Sequence, residues 1–166
     1  GENLIHFFLK RVDLNTFDKI VIVCKVSYFK YLKKLERNFP SVKFIFTKAG
    51  KDRQSSSYNG LKILKPFNPK NVLIHDAARP FCSNNLILKL LKNLKENSSA
   101  IPYIYNTDKK MILKKDFNQN IKLIQTPQGF NFQKIFKAHK NALVKNARDD
   151  SSLITKEEIS VIKGEK

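Results

Sequence analysis

Asp76 and Arg79 stand three residues apart in "IHDAARP" (74–80), directly after an apolar run. A carboxylate there would suit a divalent cation carried on a nucleotide, because magnesium takes hard oxygen ligands. A planar guanidinium would fork onto phosphate or carboxylate. Ala77 and Ala78 leave room for a ligand, and Pro80 fixes the turn. The same pair would also serve simply to close a surface loop, and the segment alone leaves both readings open. His75 reads as a packing residue at a strand end rather than as a base, because its neighbours alternate toward a core.

Three further clusters have the composition of ligand loops. "AGKDRQSSSYNGL" (49–61) sets Gly50, where backbone can approach a ligand closely, before Arg53 and Ser56 at a loop-to-helix junction. Helix N-termini favour anions, and a hydroxyl can read a base edge or a ribose. A plain serine-capped helix is the alternative. "QTPQGF" (125–130) places Thr126 and Gln128 around a proline, which reads as a rigid turn into the next helix. "ARDDSSL" (147–153) offers Arg148 to a phosphate and Asp149 or Asp150 as a helix cap. No Ser–His–Asp order, complete Walker loop or zinc spacing is present. His6, His75 and His139 are separated, and Cys24 and Cys82 match no metal spacing. Both cysteines read as buried free thiols, which suits a reducing cytoplasm.

These clusters need elements to hold them. "KIVIVC" (19–24), "VKFIFT" (42–47) and "NVLIH" (71–75) are continuous apolar runs of strand length, as expected of strands buried on both faces. A helix is predicted over 27–39, with Ser27 as its cap and Tyr28, Tyr31, Leu32 and Leu35 inward. Further helices are predicted over "SSSYNGLKIL" (55–64) and "SNNLILKLLKNLKEN" (83–97). This alternation predicts an α/β domain with a mainly parallel sheet and helices on both faces. Short strands at 100–106, 110–115 and 121–125 read as a β excursion. A helix over 131–146 with Phe132, Ile135, Phe136 and Leu143 inward follows. A short helix from "DDSSLITKEE" and a last strand "ISVIKG" close the chain. Ligands of open α/β sheets bind beyond the carboxyl ends of the strands, where "IHDAARP" falls.

At 166 residues the chain suits one domain. Its net charge of +18 invites a nucleic-acid reading. The excess is lysine scattered along the whole length, with arginine only at Arg11, Arg37, Arg53, Arg79 and Arg148. That pattern argues against nucleic acid as the main partner and leaves a surface attractive to phosphorylated small molecules. No run approaches the roughly 20 apolar residues of a membrane span. "GENLIHFFLKRVD" lacks the small-residue cleavage site of a signal peptide. Both ends look cut. A helix precedes the first strand, and the chain stops after its last one.

The ordered set "AGKDRQSSSYNGL", "NVLIHDAARPF", "QTPQGF" and "RDDSSL" resembles the 2-C-methyl-D-erythritol 4-phosphate cytidylyltransferase family over essentially the whole chain. Gly50, Arg53, Ser56, Gly60 and Leu61 match the family's first motif, and Ala49 replaces its first glycine. The resemblance implies a Rossmann-like nucleotidyltransferase sheet with a protruding β arm over about 104–124. In the family that arm interlocks a homodimer. The implied reaction joins methylerythritol phosphate to the α-phosphate of CTP, releases pyrophosphate and uses Mg2+, as a step of non-mevalonate isoprenoid synthesis.

By the same resemblance, Gly50, Arg53, Ser56 and Asp76 would bind nucleotide, and Asp76 would serve the metal. Ala77, Arg79, Thr107 and Arg148 would meet the phosphorylated substrate, and Asp76 and Arg79 would be the catalytic pair. Lys51 stands where the family often has an acid, and Asn118 where it often has an arginine. Arg148 replaces a common threonine and would compensate for the charge absent at Asn118. The family's N-terminal glycine-rich CTP loop would precede Gly1 and its C-terminal lysine would follow Lys166. The 166 residues alone are therefore expected to be inactive. Many relatives carry a fused C-terminal cyclase domain, which the cut end leaves room for. The rival readings are another sugar- or polyol-phosphate nucleotidyltransferase, or a basic non-catalytic binding domain.

Overall fold

The computed structural model describes residues 3–105, 122–143 and 146–165. Asn3 caps the first helix, α1 (Leu4–Arg11), by accepting the His6 N–H at 2.8 Å. The chain then enters β1 (Lys19–Cys24), passes two short helices, α2 (Phe29–Leu32) and α3 (Lys34–Asn38), and returns as β2 (Lys43–Lys48). β1 and β2 are parallel, with Lys19 opposite Lys43 and Cys24 opposite Lys48. α4 (Arg53–Leu64) crosses back over β1. It comes so close at Gly60 that an added Cβ would lie 3.1 Å from Val23 Cγ2.

The second half builds a five-stranded sheet. β3 (Asn71–Ile74), β6 (Gln128–Asn131), β4 (Ser99–Tyr105) and β5 (Lys122–Ile124) are neighbours in that order, and β7 (Val161–Lys163) pairs with β4. α5 (Asn84–Asn93), capped by Ser83, connects β3 to β4, and α6 (Phe132–Lys140) follows β6 directly. Two cores form. One joins Leu9, Ile22, Leu32, Leu35 and Phe44 to Leu86, Ile87 and Leu90, so it spans both halves of the chain. The other joins Leu61 of α4 to Ile101, Phe130, Phe132 and Ile135. Burial of such side chains supplies the main driving force, about 1.5–3 kcal/mol for each large apolar group.

The sheet is mixed rather than mainly parallel. β6 runs antiparallel to both β3 and β4 and lies between them. The segment read as a rigid turn thus contains a strand. Four residues that include a glycine and a buried glutamine carry no strand periodicity, and only pairing on both edges makes them one. The Thr126–Pro127 bond ahead of it is cis.

Burial corrects four further expectations. Only Ile22 of β1 is buried, and no residue of β3 is, because among the described residues each strand is paired on one edge alone. The helix expected over 27–39 breaks into a 3-10 turn, α2 and α3. Leu32 and Leu35 reach the core while Tyr28 and Tyr31 stay exposed, and Ser27 makes no cap. α6 stops at Lys140, so Leu143 is exposed and His139 fills the inward position instead. Cys82 is buried and Cys24 half-buried, both as free thiols. The predicted strand at 110–115 and most of the expected arm lie outside the described residues. β4 and β5 pair beside it from Tyr103–Ile124 to Tyr105–Lys122.

Candidate active site

Three loops meet at the carboxyl ends of β1, β2 and β3. The loop after β2 is tied to β1 where the Ala49 N–H donates to the Cys24 carbonyl at 2.9 Å. Asp52 then starts α4 with a reciprocal cap: its carboxylate accepts the Ser55 N–H at 2.7 Å, and Ser55 Oγ accepts the Asp52 N–H at 3.1 Å. The serine-start expectation is corrected here, since aspartate is the cap. The Ser55 hydroxyl, which also donates to Asp52 Oδ1 at 2.6 Å, and then the Ser55 N–H hold the Asp52 carboxyl below the ordinary carboxylate range. Ser56 is left to bind the loop itself. Its Oγ accepts the Gly50 N–H at 3.0 Å and donates to the Asp52 carbonyl at 2.8 Å. Gly50 and Ser56 are therefore in one hydrogen-bonded turn, and a Cβ at Gly50 would overlap Ser55.

Asp76 and Arg79 occupy the turn after β3, closed by the Arg79 N–H to the Asp76 carbonyl at 2.9 Å. Thr126 braces the turn from the loop before β6. Its Oγ1 accepts the Asp76 N–H at 3.2 Å and lies 3.1 Å from His75 Nδ1. His75 packs its ring against Phe8, 4.7 Å between centroids. Burial pushes its pKa down to about 4, against the pull of the nearby Asp76 charge. It is a neutral packing residue at physiological pH. Arg79 is half exposed, with Nε 3.8 Å from Asp76 Oδ2. Ala77 is exposed beside it.

Arg53 joins the loops. From the first turn of α4 its Nε donates to Asp76 Oδ1 at 3.1 Å, and its Nη1 donates to Asp150 Oδ2 at 2.7 Å. Asp150 is only 1% exposed, and its second oxygen accepts from Nε2 of the equally buried His139 at 2.9 Å. Burial alone would raise the Asp150 pKa, but His139 and Arg53 outweigh it and the carboxyl titrates below its ordinary value. Burial likewise opposes the Arg53 charge, and Asp150 and then Asp76 overcome it.

The loop carrying Arg148 is pinned on both sides. The Ala147 N–H donates to Gln54 Oε1 at 2.9 Å, and the Ser151 N–H donates to Gln128 Oε1 at 3.1 Å. Arg148 is exposed between these anchors, next to the start of α4. The structure thus brings Gly50, Arg53, Ser56, Asp76, Ala77, Arg79 and Arg148 into one region. Thr107 and Asn118 lie outside the described residues. Sequence reasoning gave no role in the site to His139, and read Asp150 only as a cap. The doublet Asp149–Asp150 held a usable signal, because Asp149 alone caps the 3-10 turn, through the Ser152 N–H at 3.2 Å.

Comparison with known proteins gives the family. The family model for IspD, 2-C-methyl-D-erythritol 4-phosphate cytidylyltransferase, matches residues 1–166. The chain belongs to this family. It is 41% identical to the bifunctional enzyme IspD/IspF of Pelagibacter ubique, over 98% of this chain and 44% of that protein. It is 34% identical to the 2-C-methyl-D-erythritol 4-phosphate cytidylyltransferase of Dictyoglomus thermophilum, over 99% of this chain and 78% of that one. Among solved structures, the 4-diphosphocytidyl-2C-methyl-D-erythritol synthase of Anaerococcus prevotii superposes with a TM-score of 0.87 at 27% identity, covering 99% of this chain and 78% of its own. The fold is therefore the Rossmann-like nucleotidyltransferase fold expected from the resemblance. The chain spans less than half of the bifunctional relative.

Proposed function

We propose that the protein carrying this chain transfers a cytidylyl group from CTP to 2-C-methyl-D-erythritol 4-phosphate. A phosphate oxygen of the acceptor attacks the α-phosphorus of CTP, the bond to the β-phosphate breaks, and pyrophosphate leaves. The observation that carries this reading is the convergence of Arg53, Asp76 and Arg79 beside the Gly50–Ser56 turn, within a chain of this family.

Each group has a chemical part. The Gly50–Ser56 turn presents a rigid rim for the cytosine. Arg79 and Arg148, both exposed, face phosphate as cations. Asp76 is the ligand for Mg2+. Its carboxylate is 32% exposed, and among the described residues Oδ2 has no hydrogen bond, with Arg79 Nε 3.8 Å away. Among the described residues no three His, Cys, Asp or Glu side chains form a metal cage. One open carboxylate fits magnesium, which keeps waters and takes the rest of its ligands from phosphates. Bound there, magnesium would neutralise charge on the phosphates.

Several neighbouring properties belong to the same proposal. Exposed Tyr105 and Leu123, on paired strands at the margin of the expected arm, support a homodimer built through it. The bifunctional relative supports a cyclase domain after this one. No helix among the described residues is long and apolar enough to cross a membrane, and both cysteines are free, which supports a cytoplasmic place. The test is a 31P NMR assay of the full-length protein with CTP, methylerythritol phosphate and Mg2+. New diphosphate resonances with equimolar pyrophosphate are expected. Their absence in a folded preparation would overturn the proposal.

A further inference from the structure

We infer that Asp150, braced by His139, is a positioning residue that keeps Arg53 from closing on both oxygens of Asp76. The inference rests on the reading of Asp76 as the cation ligand of cytidylyl transfer. A free guanidinium beside a carboxylate takes both oxygens, because its planar fork matches them. Here Arg53 is shared. Nη1 is held by Asp150 at 2.7 Å, and only Nε reaches Asp76, at 3.1 Å and on Oδ1. Oδ2 is left facing Arg79 at 3.8 Å, beyond hydrogen-bond range, and so among the described residues it is open to a ligand.

Among the described residues, capping and anchoring of the loop are done by other groups. Asp149 caps the turn. Gln54 and Gln128 anchor the loop through the N–H groups of Ala147 and Ser151. A carboxylate at 1% exposure is costly to desolvate, and its placement is accounted for by what it grips. His139 fixes which way it faces. An ionised carboxylate only accepts, so the His139 Nε2–H donates to Oδ1 and turns Oδ2 toward Arg53. The imidazole is itself stacked on Tyr58 at 5.9 Å and 5° between planes, so the brace is anchored in α4 and α6.

The test compares Asp150→Asn and His139→Phe in the full-length enzyme. Crystal structures without metal read the geometry directly. In D150N, Arg53 is expected to contact both oxygens of Asp76. The Mg2+ concentration for half-maximal turnover is expected to rise about fivefold or more, as a carboxylate engaged by two charged hydrogen bonds gives up metal affinity. H139F shifts both readouts in the same direction, and it carries the test alone should D150N not fold. A purely structural role predicts lower thermal midpoints with the Arg53–Asp76 contact and the Mg2+ requirement unchanged, and that outcome overturns the inference. An unmodified enzyme without turnover would sink the proposed reaction instead, and the crystal structures would still decide the geometry of Arg53.

Discussion

Arg53 and Asp150 lie 97 residues apart in the chain and 2.7 Å apart in space. One is at the start of α4 and the other in the 3-10 turn Asp150–Leu153 that follows α6. Their contact ties the start of α4 to the turn after α6, two elements whose Leu61 and Ile135 share one core. Because Asp150 also binds His139 and Arg53 also binds Asp76, four charged or titratable groups form one chain of contacts.

That chain makes Asp150 a strong determinant of stability. Replacing it with alanine leaves Arg53 without its closer partner and His139 without an acceptor. Losing one partner of a buried pair costs about 3–5 kcal/mol. Urea denaturation of Asp150→Ala against the unmodified protein should show a loss of that size. The folded pKa is depressed, so the stabilisation is present above the ordinary aspartate value and is lost as pH falls through the folded one. The variant should lack that acid-range component.

His75 predicts a second pH effect, in a different window. Its folded pKa of about 4 lies below the ordinary histidine value of 6.5. Between the two the unfolded chain binds the extra proton, so stability rises with pH across the window and is complete above it. The full effect is on the order of 3 kcal/mol. His75→Gln should flatten the unfolding free energy between those two pH values. An unchanged slope would assign the effect to another group.

Gly50→Ala should weaken nucleotide binding as well as folding. The added Cβ would overlap Ser55 Oγ and approach the Ser55 carbonyl carbon at 2.7 Å, so the Gly50–Ser56 turn must open. Overpacking of this kind costs about 1–3 kcal/mol. Calorimetry with CTP and Mg2+ on the full-length protein should show at least about tenfold weaker binding, the equivalent of 1.4 kcal/mol. Unaltered affinity would place the cytosine elsewhere.

Arg79→Ala should separate function from stability in the opposite sense to Asp150→Ala. The side chain is half exposed, its approach to Asp76 is 3.8 Å, and its bond to the Ile124 carbonyl is long at 3.5 Å. Surface pairs contribute about 0–1 kcal/mol, so the thermal midpoint should barely move. Turnover should fall by about a hundredfold or more if Arg79 is a charged contact to the acceptor phosphate, as loss of a well-placed donor commonly costs about 2.7–4 kcal/mol. Activity within a fewfold of the unmodified enzyme would remove Arg79 from the site.

The sequence by itself determined the α/β class, because runs such as Lys19–Cys24 and the Ser83-capped stripe of α5 carry their period and caps locally. It also picked out the segments that the structure brings together as the candidate site, since Gly50, Arg53, Ser56, Asp76 and Arg79 fall at element ends where strands and helices must turn. Only the tertiary structure decided what those residues do to one another. β6 became a strand through pairing with β3 and β4, which no local pattern in Gln128–Asn131 announces. Tyr28 and Leu143 had helical spacing and stayed in solvent, because spacing selects a face but not whether anything covers it. Asp150 looked like a cap beside another cap. It became a buried anion because Arg53 and His139, 97 and 11 residues away, supply the opposite charge and the hydrogen bond that let a carboxylate leave water.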